Sequence, residues 1–178
     1  MSTWNVMITL GAFILLSSIL VAFYGNLAAG EDTVNNAQAG ISQLTYATTY
    51  MELANGLAFD EATIDSFVTT PSIHLLTLPT NLGTENPAPY PEPDETDFTT
   101  FDDIDDLNNF TIVDSTLFGI SGVFKTTFSV QYVDPENLDL ITSARTFVKR
   151  VDMTVVRLFP ASTDTLRYAM TMGYFHFD

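Results

Sequence analysis

Residues 1–30, MSTWNVMITLGAFILLSSILVAFYGNLAAG, contain no charged side chain. Within them, residues 4–24 form an apolar run long enough to cross the ~30 Å hydrocarbon core of a bilayer as one helix. A cleavable secretory signal has a cationic start, a shorter apolar run and a small-residue cleavage site. Met1, Ser2, Thr3, Trp4 and Asn5 bring no Lys or Arg, and the run is longer than such a signal needs, so the segment is expected to be retained. Orientation rules count Lys and Arg beside the span, yet the first basic residue is Lys125. The remainder of the chain, a large acidic polypeptide with prolines, reads as an exported head.

Subtracting a membrane-length segment from 178 residues leaves material for one modest core of about 120 residues. Cysteine is absent, which excludes disulfides and thiolate metal sites. The net charge of −16 is spread unevenly: residues 125–178 hold six acids and six bases, whereas residues 1–124 hold sixteen acids and no base. Nucleic-acid binding relies on Lys and Arg displacing phosphate counterions, so that function is excluded. Self-repulsion of this size needs screening or bound cations in an assembly. The composition suits high-salt surroundings, or simply an acidic surface protein.

The helix is expected to continue past the bilayer boundary. Val34, Ala37, Ile41, Leu44, Thr48 and Met51 recur at alternating steps of three and four, the 3.5-residue seam of a coiled-coil-like helix. No proline occurs before Pro71. A continuous helix over residues 4–57 would be roughly 80 Å long at 1.5 Å per residue. Such a rod exceeds what the head can bury, so its first half is expected against lipid or other copies and its second half beneath the head. Over residues 34–58 the seam is read as the face packed on the chain's own domain. Gly11, Gly25, Gly30 and Gly40, with Ala28, Ala29, Ala37 and Ala39, permit close helix contacts. Ser17 and Ser18 can bond to carbonyls one turn back and need no catalytic role.

Residues 59–112 differ in character. Phe59, Asp60 and Glu61 are read as the helix end, with a further helical turn or two before Val68. Pro71, Pro79, Pro87, Pro89, Pro91 and Pro93 then punctuate the chain, and residues 87–93 should run extended or as polyproline II. The acids Glu85, Glu92, Asp94, Glu95 and Asp97 lead into residues 101–110, FDDIDDLNNF. The last third alternates with a period of two. Phe124, Thr126, Phe128, Val130 and Tyr132 share one face, as do Phe147, Lys149, Val151, Met153 and Val155, and then Leu166, Tyr168, Met170, Met172 and Tyr174. Three consecutive strands with loops at 134–144 and 160–164 make an antiparallel meander whose apolar face needs a cover, and the second half of the helix is the obvious one.

The predicted fold is therefore α+β, a long N-terminal hydrophobic helix packed on a C-terminal antiparallel sheet. Its parts are an apolar helix (1–30), the amphipathic half of that helix (31–58), a Pro-rich acidic loop region (59–112) and a meander head (113–178). This organisation resembles the type IV pilin and pseudopilin superfamily over nearly the whole chain. The FDDIDDLNNF stretch is similar to the FDDVDDYNGY type of segment in minor pilin-like proteins of the mannose-sensitive haemagglutinin pilus system. Val130, Gln131, Tyr132, Val133, Asp134 and Pro135, with Lys149, Arg150 and Val151 after them, resemble the closing sheet of those proteins. The family's basic leader and fifth-position glutamate lack a counterpart, Asn5 being the nearest polar residue, so the chain reads as a divergent, leaderless relative or an architecture reached independently.

The resemblance implies a structural subunit of an extracellular helical filament, a lollipop-shaped protomer whose apolar helices bundle while acidic heads form the sheath. The assembly helix would act through Trp4, Met7, Leu10, Phe13, Ile14, Leu16, Leu20 and Phe23. The implied partners are copies of the chain itself, inner-membrane lipid before assembly, and a pilus or secretion assembly machinery, with no nucleic acid. The alternatives are a low-copy minor pseudopilin and a single-pass membrane-anchored surface binding domain. Asp102, Asp103, Asp105 and Asp106 place four carboxylates in five residues, a donor set suited to Ca²⁺, with Asn108 and Asn109 nearby. The EF-hand pattern is not met, since no glycine stands where that loop requires one. The only histidines, His74 and His176, are read as structural. No phosphate-cradling glycine loop or nucleophile elbow occurs, and no enzyme activity is expected.

Overall fold

The computed structural model of the chain describes residues 3–64, 66–85, 94–114, 122–159 and 165–175. The expected polyproline stretch at 87–93, with Glu92, the 160–164 connection and His176 lie outside those residues. The chain divides into two compact units, residues 1–41 and residues 42–178.

Helix α1 spans Thr3–Ala54, 52 residues without interruption. Hydroxyls inside it are satisfied locally, as expected for Ser18, whose Oγ donates to the Leu15 carbonyl at 2.8 Å, and likewise for Thr9, Thr33 and Thr48. Its end at Ala54 falls three residues before the predicted one, at Asn55 and Gly56, whose amides still bond back to Met51 and Leu53. The described residues of the first unit, 3–41, all belong to this helix, which contains a stretch long and apolar enough to cross a membrane.

The second unit is a five-stranded antiparallel sheet with the last turns of α1 on one face. The strands are β1 (Thr111–Asp114), β2 (Val123–Asp134), β3 (Asn137–Ile141), β4 (Val148–Phe159) and β5 (Thr165–Gly173). Their order is β1-β2-β4-β5, with β3 a short hairpin partner of β2. The three predicted strands are thus β2, β4 and β5, while β1 and β3 are additions. Register runs from Thr126↔Val155 through Val130↔Val151 to Tyr132↔Lys149, so the predicted alternating sets of β2 and β4 meet side by side on one face.

That face carries the core. Phe124, Phe128, Val130, Tyr132, Val151, Met153 and Val155 are buried with Tyr46, Ala47, Tyr50, Met51 and Ala54 of the helix. Tyr46 lies on Phe124 with ring centroids 5.0 Å apart, and Tyr50 meets Phe128 edge-on at 6.0 Å. Gln43 donates through Nε2 to the Val155 carbonyl at 2.6 Å. The buried helix face therefore follows Gln43, Tyr46, Ala47, Tyr50, Met51 and Ala54, offset from the predicted seam, of which only Met51 is buried. Val34, Ile41, Leu44 and Thr48 are exposed. The aliphatic seam is real in sequence, but flat aromatic rings and small alanines fit the sheet face, and they lie on the adjoining side of the helix.

Between helix and sheet, the chain forms 3₁₀ turns at Glu61–Thr63, Thr70–Leu75 and Asp105–Leu107. An isolated parallel bridge pairs Ala58 with Asp103, with Ala58 N bonded to the Asp102 carbonyl and Ile104 N to the Ala58 carbonyl. This bridge fixes the acidic stretch beside the residues just beyond α1.

Candidate assembly surface and the buried acidic loop

Two features of the chain can carry function, the apolar surface of α1 and the acidic stretch 101–110. On α1 the eight predicted assembly residues are all exposed, from 47 % at Leu20 to 71 % at Met7. Exposed apolar side chains also recur at seven-residue steps through Val6, Phe13, Leu20, Leu27, Val34 and Ile41. Nothing lies within 4 Å of where a Cβ would sit on Gly11, Gly25 or Gly30.

The acidic stretch was expected as one ligand set in a loop. The structure sends its four aspartates to different places. Asp102 is exposed, while Asp103, Asp105 and Asp106 are buried. Asp103 caps the 3₁₀ turn just after it: its Oδ1 accepts from the amides of Asp105, at 2.6 Å, and Asp106. Burial, with Asp105 and Asp106 close by, pushes its carboxyl up to about 9.

Asp105 turns the other way, onto Lys149, which is fully buried in β4. The Lys149 ammonium donates to Asp105 Oδ1, to Asp60 Oδ2 at 2.7 Å and to the Phe59 carbonyl at 2.8 Å, which uses all three of its protons. It also sits 4.6 Å from the Phe59 ring centre and 5.0 Å from that of Tyr132. Burial raises the Asp105 carboxyl to about 6, against the pull of Lys149.

Asp60 is the hub of this cluster. Besides Lys149 it accepts from Thr77 N, at 3.0 Å to Oδ2, from the Tyr132 hydroxyl at 3.0 Å, and from Ala62 N at the start of the Glu61–Thr63 turn. Burial and the adjacent Asp60 carboxylate raise the pKa of the Tyr132 hydroxyl. Sequence reasoning finds in Asp60 only a helix terminator. The available signal was Lys149 itself, a cation placed by the period-two pattern on the core face of β4, which demanded buried anions nearby.

Asp106 points away from that cluster. Its Oδ2 accepts from the amides of Asp102, at 3.2 Å, and Asp103, at 3.3 Å, while Oδ1 is buried without a hydrogen-bond partner among the described residues. Asp106, Glu85 and Glu95 each place a ligand oxygen within 4.8 Å of the other two. Glu95 Oε2 accepts from Glu85 N at 2.7 Å, which ties the two glutamates together where the chain leaves at residue 85 and returns at 95. Burial first and Glu95 second raise both Glu85 and Asp106 to about 8. Asn108, one of the predicted accessory ligands, instead stitches loop to sheet, donating to the Leu82 carbonyl and accepting from Val130 N. Asn109 is exposed in the left-handed region at φ 63°. His74 is exposed at the end of the Thr70–Leu75 turn.

No protein-family model, curated protein or solved structure matches this chain.

Proposed function

We propose that this chain is a structural subunit of a cell-surface filament, self-assembled through α1 in the manner of the type IV pilins and pseudopilins it resembles. The observation that carries this reading is the length of the exposed apolar seam on α1. A helix of 52 residues is about 78 Å long, whereas a bilayer covers only about 20 residues of it. Lipid can therefore cover the seam from Val6 to about Leu27 but not its continuation at Val34 and Ile41, both at least 65 % exposed.

Sister helices offer matching seven-residue seams and can cover the whole of it. A straight helix drifts about 20° per heptad, so five heptads turn the seam by roughly 100°, and a partner must wind around it. Glycines open to close approach along the same helix suit such packing. A single-pass anchored domain is the competing reading, favoured by a span of bilayer length near the N-terminus.

Val34→Glu separates the two, because it alters the seam beyond the bilayer and outside the head's core. In a filament subunit it should abolish fibres in sheared surface material viewed by negative-stain microscopy while leaving membrane insertion intact. Parent cells without fibres of this chain, or a variant assembling as the parent does, would overturn the proposal.

A further inference from the structure

We infer that Glu85, Glu95 and Asp106 form a binding site for a calcium-sized divalent cation. Two observations point there independently. One is the convergence of three carboxylates within 4.8 Å, two of them buried and Glu85 half-buried. The other is the Asp106 side chain, with no exposed surface, whose Oδ1 has no N–H donor among the described residues although Oδ2 is held by two amides, and which meets the Glu95 carboxyl instead. A buried carboxyl oxygen with no donor beside it is costly, and native structures rarely tolerate one.

Among the described residues, no cation pairs with it. No Lys or Arg precedes Lys125, and the Lys149 ammonium spends its three protons on Phe59, Asp60 and Asp105. The charged groups that act most strongly on Glu85 and Asp106 are other carboxylates. The charge is relieved from solution, by protons on the raised carboxyls or by a cation that displaces them.

The chemistry of the donors selects the ion. An all-carboxylate oxygen set suits a hard cation. Mg²⁺ demands near-ideal octahedral geometry and gives up water reluctantly, whereas Ca²⁺ accepts an irregular set of carboxylates. Water can complete the shell, because Glu95 and Asp106 line a pocket of about 330 Å³ that also holds Thr84 and Thr96. Sequence spacing assigns the ion to Asp102, Asp103, Asp105 and Asp106, of which the geometry keeps only Asp106. Asp103 is occupied as a cap and Asp105 by Lys149. An ion at the new position would pin the 85/95 junction to the Asp105–Leu107 turn.

The test uses the full chain in detergent, stripped with chelator, then titrated with calcium chloride or magnesium chloride at neutral pH by calorimetry and thermal melting. Calcium should bind saturably at one site per chain and raise the melting temperature, as any ligand specific to the folded state does. Magnesium should bind at least tenfold more weakly. Glu95→Gln should cost at least tenfold in calcium affinity with the calcium-free melt retained. Should that variant fail to fold, Glu85→Gln, half-buried, carries the same expectation. No saturable binding up to millimolar calcium, or unchanged affinity in the folded variants, would overturn the site and leave a proton shared among the three carboxyls as its only occupant.

Discussion

Lys149 shows what one side chain can decide. It occupies an inward position of β4 opposite Tyr132, between two aspartates that reach it from 89 and 44 residues away in sequence. The inward position was legible, because alternation alone put Lys149 among Phe147, Val151 and Met153. Its partners were not, because nothing local marks Asp60 or Asp105 as the ones that fold back onto it. Removing one member of a buried ion cluster leaves uncompensated charge, so Lys149→Met should cost about 3–5 kcal/mol of head stability at mildly alkaline pH. The pH dependence of that loss comes from Asp105. Its carboxyl already stands at about 6 with Lys149 pulling it down, and it must rise further without that pull. A carboxyl raised in the folded state holds a proton the unfolded chain lacks, so its contribution is present at low pH and lost as pH rises through the folded value. The gap between variant and parent should therefore narrow on acidification from pH 8 toward pH 5, read by circular-dichroism melts. A gap constant over that range would show that the aspartates are not stranded charges.

At the scale of elements, strands with a buried face were legible and those without were not. β2, β4 and β5 announce themselves by period two. Every residue of β3 is exposed, so its sequence NLDLI carries no one-sided pattern, and β1 is only four residues long. The buried face of α1 escaped sequence reasoning for a related cause. Helical spacing identifies stripes, and this helix has two: an aliphatic one through Val34, Ile41 and Leu44, and an aromatic one through Tyr46 and Tyr50. Hydrophobicity cannot say which stripe meets the sheet, whereas shape can, since rings stack on Phe124 and Phe128 while Ala47 and Ala54 admit close approach. Substitution separates the stripes. Tyr50→Ala should lower head stability by about 3–5 kcal/mol, the usual cost of deleting a buried ring. Tyr50→Phe should be neutral or stabilising by about 1 kcal/mol, because the Tyr50 hydroxyl is buried without a hydrogen-bond partner among the described residues. Leu44→Ala, on the exposed stripe, should change head stability by less than about 0.5 kcal/mol. Urea titrations of the three variants check the order, and a destabilised Tyr50→Phe would mean that its hydroxyl is paired.

For the whole molecule, the chain keeps two kinds of apolar surface apart. Residues 42–178 close a core of their own, with Val68, Leu76, Ile104 and Leu107 sealing the acidic loop against the sheet. Residues 4–24 leave their apolar side chains exposed. That separation was legible from the charge-free opening of the chain, since no head of this size could bury so long a rod. The internal cost of the acidic surplus was not legible. Carboxylates that look like hydrated surface in the sequence turn inward at Asp60, Glu95, Asp103, Asp105 and Asp106. If insolubility resides in the apolar helix and stability in the head, deleting residues 1–30 should divide the two properties. The shortened chain should be soluble without detergent, monomeric by light scattering, and should melt as the head of the full chain does in detergent. A shortened chain that aggregates would place a further sticky surface on the head, and one that melts many degrees lower would show that the apolar helix stabilises the head it precedes.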